Sequence, residues 1–196
     1  MQRMFKNKLE TDFFLQPTEI VAQLLLGKIL IHETKQGITA GRIVETEAYL
    51  AKNDPACHAA RGKTARNAAM FGPAGTAYIY LIYGIHYCFN VVTAKIGEGE
   101  AVLVRALEPL TGLDLMRKRR GQAPLEKLAS GPGNLCRAMG INLTHNGHDL
   151  RQPPLYLADD GYEAKEIITT TRIGISQAKD LPLRFYLADN PYVSRK

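Results

Sequence analysis

Two carboxylates and a tyrosine at alternating positions, Glu45, Glu47 and Tyr49, are the residues of this chain whose types and spacing best suit chemistry. They sit in the run Arg42-Ile-Val-Glu-Thr-Glu-Ala-Tyr-Leu50. Its β-branched opening and period-two pattern read as a strand, so side chains two apart share a face. Ile43, Glu45, Glu47 and Tyr49 then point one way, and Val44, Thr46, Ala48 and Leu50 the other. The second set suits a core. The first is either plain solvent or the floor of a site, and exposed strand faces commonly carry Glu. Residues 100–107 read as another strand, with Ala101, Leu103, Arg105 and Leu107 on one face. A buried guanidinium left unpaired is costly, so a carboxylate from a neighbouring strand is expected, either Glu45 or Glu47.

Further candidates follow from awkward placement. His58 falls in a long irregular stretch over residues 51–75, and long loops inside compact domains are often functional. Tyr83 stands beside Gly84 at a hairpin tip, where a large ring projects outward instead of packing. Asn90 lies mid-strand between Phe89 and Val91, so its amide needs partners or a ligand. Ser130-Gly131-Pro132-Gly133 leads into a helix and leaves free N–H groups suited to phosphate. That stretch matches neither a Walker loop nor a dinucleotide fingerprint, and no nucleotide cofactor is read there.

The elements that must position these groups come in a simple order. Thr18 is expected to cap a helix over residues 19–26, followed by a strand over 28–34 and a hairpin turn at Gln36-Gly37 into the carboxylate strand. A short helix is expected over residues 64–70. An aromatic strand over residues 76–83 turns at Gly84-Ile85 and returns over 87–93. A basic helix runs to Gly121, another over 134–139 stops at Gly140, and short strands close the chain at 155–158, 166–172 and 184–187. Residues 1–8 are polar and expected to be loose. No repeat or linker divides the chain, so one α+β domain is expected.

The 196 residues are 45% hydrophobic and 22% charged, enough for one good core. No run is long and apolar enough to span a bilayer, and the N-terminus has no signal-peptide core. Three scattered cysteines, Cys57, Cys88 and Cys136, fit neither zinc spacing nor a disulfide framework, which points to a reducing compartment. The net charge of +6 favours a polyanion partner. Arg61, Lys63 and Arg66 form one cluster and Arg117 to Arg120 another, each equally readable as a solvated face.

The chain resembles the alkyladenine (3-methyladenine, methylpurine) DNA glycosylase family. The motifs are Glu45-Thr-Glu-Ala-Tyr49, His58, Arg66-Asn67, Tyr80-Leu-Ile-Tyr-Gly84, Asn90 and Arg105-Ala-Leu-Glu-Pro109. Ser130-Gly-Pro132, Leu135-Cys136, Arg172-Ile-Gly174 and Pro182-Leu-Arg-Phe-Tyr186 match further on, so the likeness covers almost everything from residue 12 onward. The resemblance implies a single mixed domain around a curved, mainly antiparallel β-sheet with helices packed on it, and no metal or cofactor. It implies that Glu47 is the catalytic carboxylate, that Arg105 helps it hold water together with a backbone carbonyl near Ile175, and that Tyr49, His58 and Tyr80 wall the base pocket. Asn90 then rejects a purine 2-amino group and Tyr83 wedges into the duplex, with Gly84, Ile85, His86 and Arg66 as further DNA-contact candidates. Ile85 and His86 depart from the Met and Tyr of some relatives. The implied reaction is release of a damaged purine (3-methyladenine, hypoxanthine or ethenoadenine type) from double-stranded DNA. No lysine in these motifs is placed for a Schiff base, so an abasic site without strand cleavage is expected. A monomer without membrane association is expected, in the cytoplasm of a bacterium or the nucleus of a eukaryote. Two rivals are a non-catalytic damaged-base binding protein and a metal-dependent nuclease using Glu45, Glu47 and His58.

Overall fold

The computed structural model describes residues 7–195. Its spine is a 13-residue strand, β3 (Gly37–Tyr49), which carries both carboxylates through the centre of an antiparallel sheet. The other strands are β1 (Asn7–Lys8), β2 (Ile29–Thr34), β4 (Ala77–Ile82), β5 (His86–Thr93), β6 (Glu100–Thr111), β7 (Leu155–Asp159), β8 (Ile167–Thr170) and β9 (Arg184–Leu187). They are ordered β1-β7-β2-β3-β6-β5-β4, with β9 joining β3 to β8 off that path. The first half of β3 pairs with β2, and Glu45 to Glu47 pair with β9 instead, while β6 follows the opposite edge. The carboxylate stretch therefore has a hydrogen-bonded strand on both sides. Four helices, α1 (Thr11–Phe14), α2 (Thr18–Leu24), α3 (Leu113–Arg120) and α4 (Pro132–Met139), complete an α+β fold.

The principal core gathers Phe14, Val21 and Leu25 near α2 with Val44, Ala48, Val102, Val104 and Leu107 of the sheet and Leu135 and Met139 of α4. A second cluster on the site's side holds Cys57, Met70, Tyr78 and Val92, with Tyr49 and Tyr80 packed against it.

Strict alternation fails at two offset bulges. Ile43 pairs with Leu107 but Glu45 pairs with Ala106, leaving Val44 extra on β3; Thr46 then pairs with Val104, leaving Arg105 extra on β6. A bulge turns the following side chains over. Ile43 and Leu107 accordingly join the principal core, parting from the faces shared with Glu45 and Arg105. Other boundaries also move. Thr18 caps nothing: Pro17 holds the N-cap position of α2, and the Thr18 hydroxyl bonds Thr93 Oγ1 at 2.8 Å and the Glu100 carboxylate. Residues 64–70 give only a 3-10 turn at Ala68–Phe71, and Arg172 lies beyond the end of β8. Of the segment expected to be loose, residues 1–6 lie outside the described part, whereas Asn7 and Lys8 pair with β7.

Candidate active site

A cavity of about 450 Å³ opens beside the far half of β3. Tyr49, His58, Tyr80, Asn90 and Arg105 line it, and Arg66, Tyr83 and His86 reach its rim. Glu47 is completely buried and does not itself line the cavity; it lies behind Tyr49, Arg105 and Ile173, three lining residues that it bonds. Its Oε1 accepts from Ile173 N–H at 2.8 Å and lies 3.2 Å from an Arg105 Nη, while Oε2 accepts from Tyr49 O–H at 2.9 Å. An ionised carboxylate offers about four acceptor positions. Three are taken, which fixes the group's orientation and leaves one acceptor position free. Burial holds the Tyr49 phenol well above the usual tyrosine range, and the Glu47 charge adds to it, so Tyr49 remains a donor.

Arg105 is likewise enclosed, 8% exposed. Burial works against its charged form, but Glu47 and Glu45 more than offset that and raise its pKa above the usual arginine value. Both carboxylates are thus its partners, where either one was expected. Glu45, like Glu47, does not line the cavity. It is 0% exposed and bonded to Arg105 Nε at 3.1 Å, Arg184 Nε at 2.8 Å and Ser194 N–H at 2.7 Å. On the other side Arg172 clamps Asp54 through two 2.6 Å contacts and sits 4.6 Å from the Tyr49 ring centre. That ring is braced from beneath by a cation already paired.

The aromatic walls are mutually braced. His58 and Tyr80 meet edge to face with centroids 4.6 Å apart. His58 Nδ1 shares a 2.8 Å hydrogen bond with Tyr78 O–H, whose burial lifts the phenol to about 12. Burial, then Arg66, lowers His58, so this ring is neutral at pH 7. Asn90 Nδ2 donates to Tyr78 C=O at 2.9 Å, so the amide forms a rigid wall. The three residues imagined as a metal set hold other partners: Glu45 and Glu47 bind guanidiniums and His58 binds Tyr78.

At the hairpin between β4 and β5, Tyr83 is 82% exposed and Ile85 72% exposed. Tyr83 and Gly84 both have positive φ, 53° and 71°, a backbone that glycine adopts freely and tyrosine does not. Arg66 steadies the hairpin by donating to Leu81 C=O at 3.0 Å. The His86 ring packs on Gly133 so closely that a Cβ there would come within 3.0 Å of it, which ties the hairpin to the start of α4. Gly131 and Asn134 from that helix start also line the cavity.

The methylpurine-DNA glycosylase family model matches residues 12–191. The chain belongs to that family. Relatives described as "Putative 3-methyladenine DNA glycosylase" are similar along their whole length: the Methanoculleus marisnigri protein is 54% identical, covering 96% of this chain and 99% of its own. The Carboxydothermus hydrogenoformans protein is 51% identical with the same coverages, and that of Francisella tularensis subsp. tularensis is 47% identical over 97% of this chain and 100% of its own. This glycosylase is therefore a hydrolytic enzyme of base excision repair acting on DNA, which sets aside the non-catalytic binder. Among the described residues no helix is long and apolar enough to cross a membrane.

Some of this glycosylase's site residues had no reading from sequence. Tyr78 stands two before Tyr80, and Cys88 is opposite Tyr80 across the β4–β5 pair, so alternation carried a signal for both. Arg172 stood in a matching motif, but its clamp on Asp54, 118 residues away, had no signal in the sequence.

Proposed function

We propose that this glycosylase extrudes a damaged purine into the cavity and hydrolyses its N-glycosidic bond with water activated by Glu47. The observation that carries the reading is the Glu47 carboxylate, oriented by Arg105, Ile173 N–H and Tyr49 with one acceptor position left over. A base stacked within a duplex exposes its glycosidic carbon poorly, so an enzyme acting there must flip the nucleotide. Tyr83, exposed at the hairpin tip, fills the vacated space and offsets part of the unstacking cost. Tyr49, His58 and Tyr80 receive the base, and electron-poor alkylated purines stack most strongly there. Phosphate of the flipped nucleotide is seated by the free N–H groups at the start of α4.

Hydrolysis passes through an oxocarbenium-like sugar. Glu47 takes the water proton and stabilises the developing positive charge, while Arg105 holds the carboxylate in place. The product is an abasic site in an unbroken strand. Base release from duplexes carrying 3-methyladenine, hypoxanthine or ethenoadenine, measured with EDTA present, tests this reading. Release of at least one base with the strand intact supports it; strand scission, or activity abolished by EDTA, overturns it.

A further inference from the structure

We infer that Glu45, Arg184 and the backbone N–H of Ser194 form a positioning set that aims Arg105 at Glu47 from behind the cavity. The inference rests on the reading of Glu47 as the water-activating group. Arg105 is the extra residue of a bulge, so sheet pairing alone does not fix its side chain. Its direction is set by Glu45, which takes Nε at 3.1 Å and leaves an Nη to reach Glu47 at 3.2 Å. Glu45 has its own fixed geometry. Arg184 of β9 donates to the same Oε1 at 2.8 Å, and Ser194 N–H donates to Oε2 at 2.7 Å. Arg184 also donates to the Arg195 carbonyl, so the chain's end closes the back of the cluster. The Ser194 hydroxyl has no partner among the described residues, so the backbone, not the side chain, makes this link.

The charges balance: two carboxylates, Glu45 and Glu47, against two guanidiniums, Arg105 and Arg184. Other groups facing Glu47 are the Tyr49 phenol, the Cys88 thiol and the Arg172 guanidinium, itself matched by Asp54. Removing one member of the set behind Arg105 therefore changes both the aim of Arg105 and the local charge, with a sign that depends on which member goes.

Glu45→Gln leaves one surplus positive charge, favours the ionised form of the remaining carboxylate, and moves the acid-side limb of the rate–pH profile to lower pH. Arg184→Gln leaves a surplus negative charge and draws Arg105 toward Glu45, moving that limb to higher pH. Shifts of about one pH unit are expected, since charges within a few ångströms have effects of this size. Single-turnover rates at saturating hypoxanthine-containing duplex read the limb, with circular dichroism reporting the folded fraction. Should either buried variant fail to fold, Ser194→Pro removes only the backbone donor and moves the limb in the same direction as Arg184→Gln. Opposite shifts from the two charge variants, or the upward shift from Ser194→Pro, support the assignment. A rate loss with an unmoved limb, or shifts of one sign from both charge variants, overturns it. No base release by the unaltered protein would instead overturn the reading of Glu47, and this assignment with it.

Discussion

The molecule builds the surroundings of Glu47 and the tip of the β4–β5 hairpin in opposite ways. Around Glu47 the carboxylates are buried and matched: Glu45 and Glu47 are 0% exposed, and each holds three partners. At the hairpin tip Tyr83 and Ile85 are largely exposed, on backbone that a tyrosine adopts only under strain. A buried network is costly when one member is lost, because the partner is left charged and dry. An exposed apolar tip loses little stability when changed, since it packs on nothing in the free protein. The enclosed region should therefore answer mutation through chemistry and folding, and the tip through the capture of DNA alone.

The strongest attempt to break this contrast is Glu47→Gln. It keeps the shape of the side chain and should leave duplex binding nearly intact, while excision falls by at least the roughly 10²–10⁴-fold expected of a lost general base. Single-turnover excision beside a binding isotherm checks it, and comparable losses in both would place Glu47 in recognition. From its position along the strand, Glu45→Gln looks much milder. Its two guanidinium partners revise that: unpairing buried charges costs about 3–5 kcal/mol, so a lowered denaturant midpoint should accompany any loss of rate.

Tyr83→Ser probes the other region. A stacking contact is worth about 1–3 kcal/mol, so the extruded state should lose roughly 5- to 150-fold in population. Encounter binding, mostly phosphate contact, should persist, and the denaturant midpoint should not move. Fluorescence of 2-aminopurine beside the lesion reports flipping; an unchanged signal would end the wedge reading.

Asn90→Ser sharpens the boundary between the regions. Freeing the wall that Tyr78 C=O holds rigid should raise removal of normal guanine, most clearly at a mismatch, and a product assay with no gain would return Asn90 to a structural role.

Proton inventory gives the smallest effects. A 3-methyladenine base already carries positive charge in the DNA and departs as a neutral molecule without being protonated, whereas hypoxanthine is neutral there and needs a proton to avoid leaving as an anion. Rates from about pH 5 to 9 should show only the rising limb for the first and a bell for the second. Identical bells would assign the falling limb to DNA binding. The phenols of Tyr49, Tyr78 and Tyr80 are all raised in the folded protein, chiefly by burial. Their protonated forms favour the native state, so that stability is complete below about pH 10, the unfolded tyrosine value, and declines as pH climbs toward and past 12. Chemical denaturation at pH 9, 10 and 11 measures it.

Much of this architecture was legible because it rests on local chemistry. The α+β class, the β4–β5 hairpin and the glycine stops of α3 and α4 all follow from periodicity and turn residues. Of the candidate residues, Tyr49, His58, Tyr80, Asn90 and Arg105 line one cavity, and Glu47 bonds two of them from behind it. What strand alternation could not supply was that Ile43 parts from the face that Glu45 and Glu47 share. A bulge is a register choice made between two strands, and neither strand carries it alone. The reach from Ser194 to Glu45 spans 149 positions, and only the finished fold brings such groups together.

The central place of β3 has a consequence for how this enzyme fails. The strand that bears the carboxylates is also the one joined to β2, β6 and β9, with Val44 and Ala48 in the principal core. Glu47 is carried by this central strand and not by a loop, so no partly melted form can keep the core and lose only Glu47. Heat or denaturant should extinguish excision and the sheet's circular dichroism at one midpoint, in a single cooperative step.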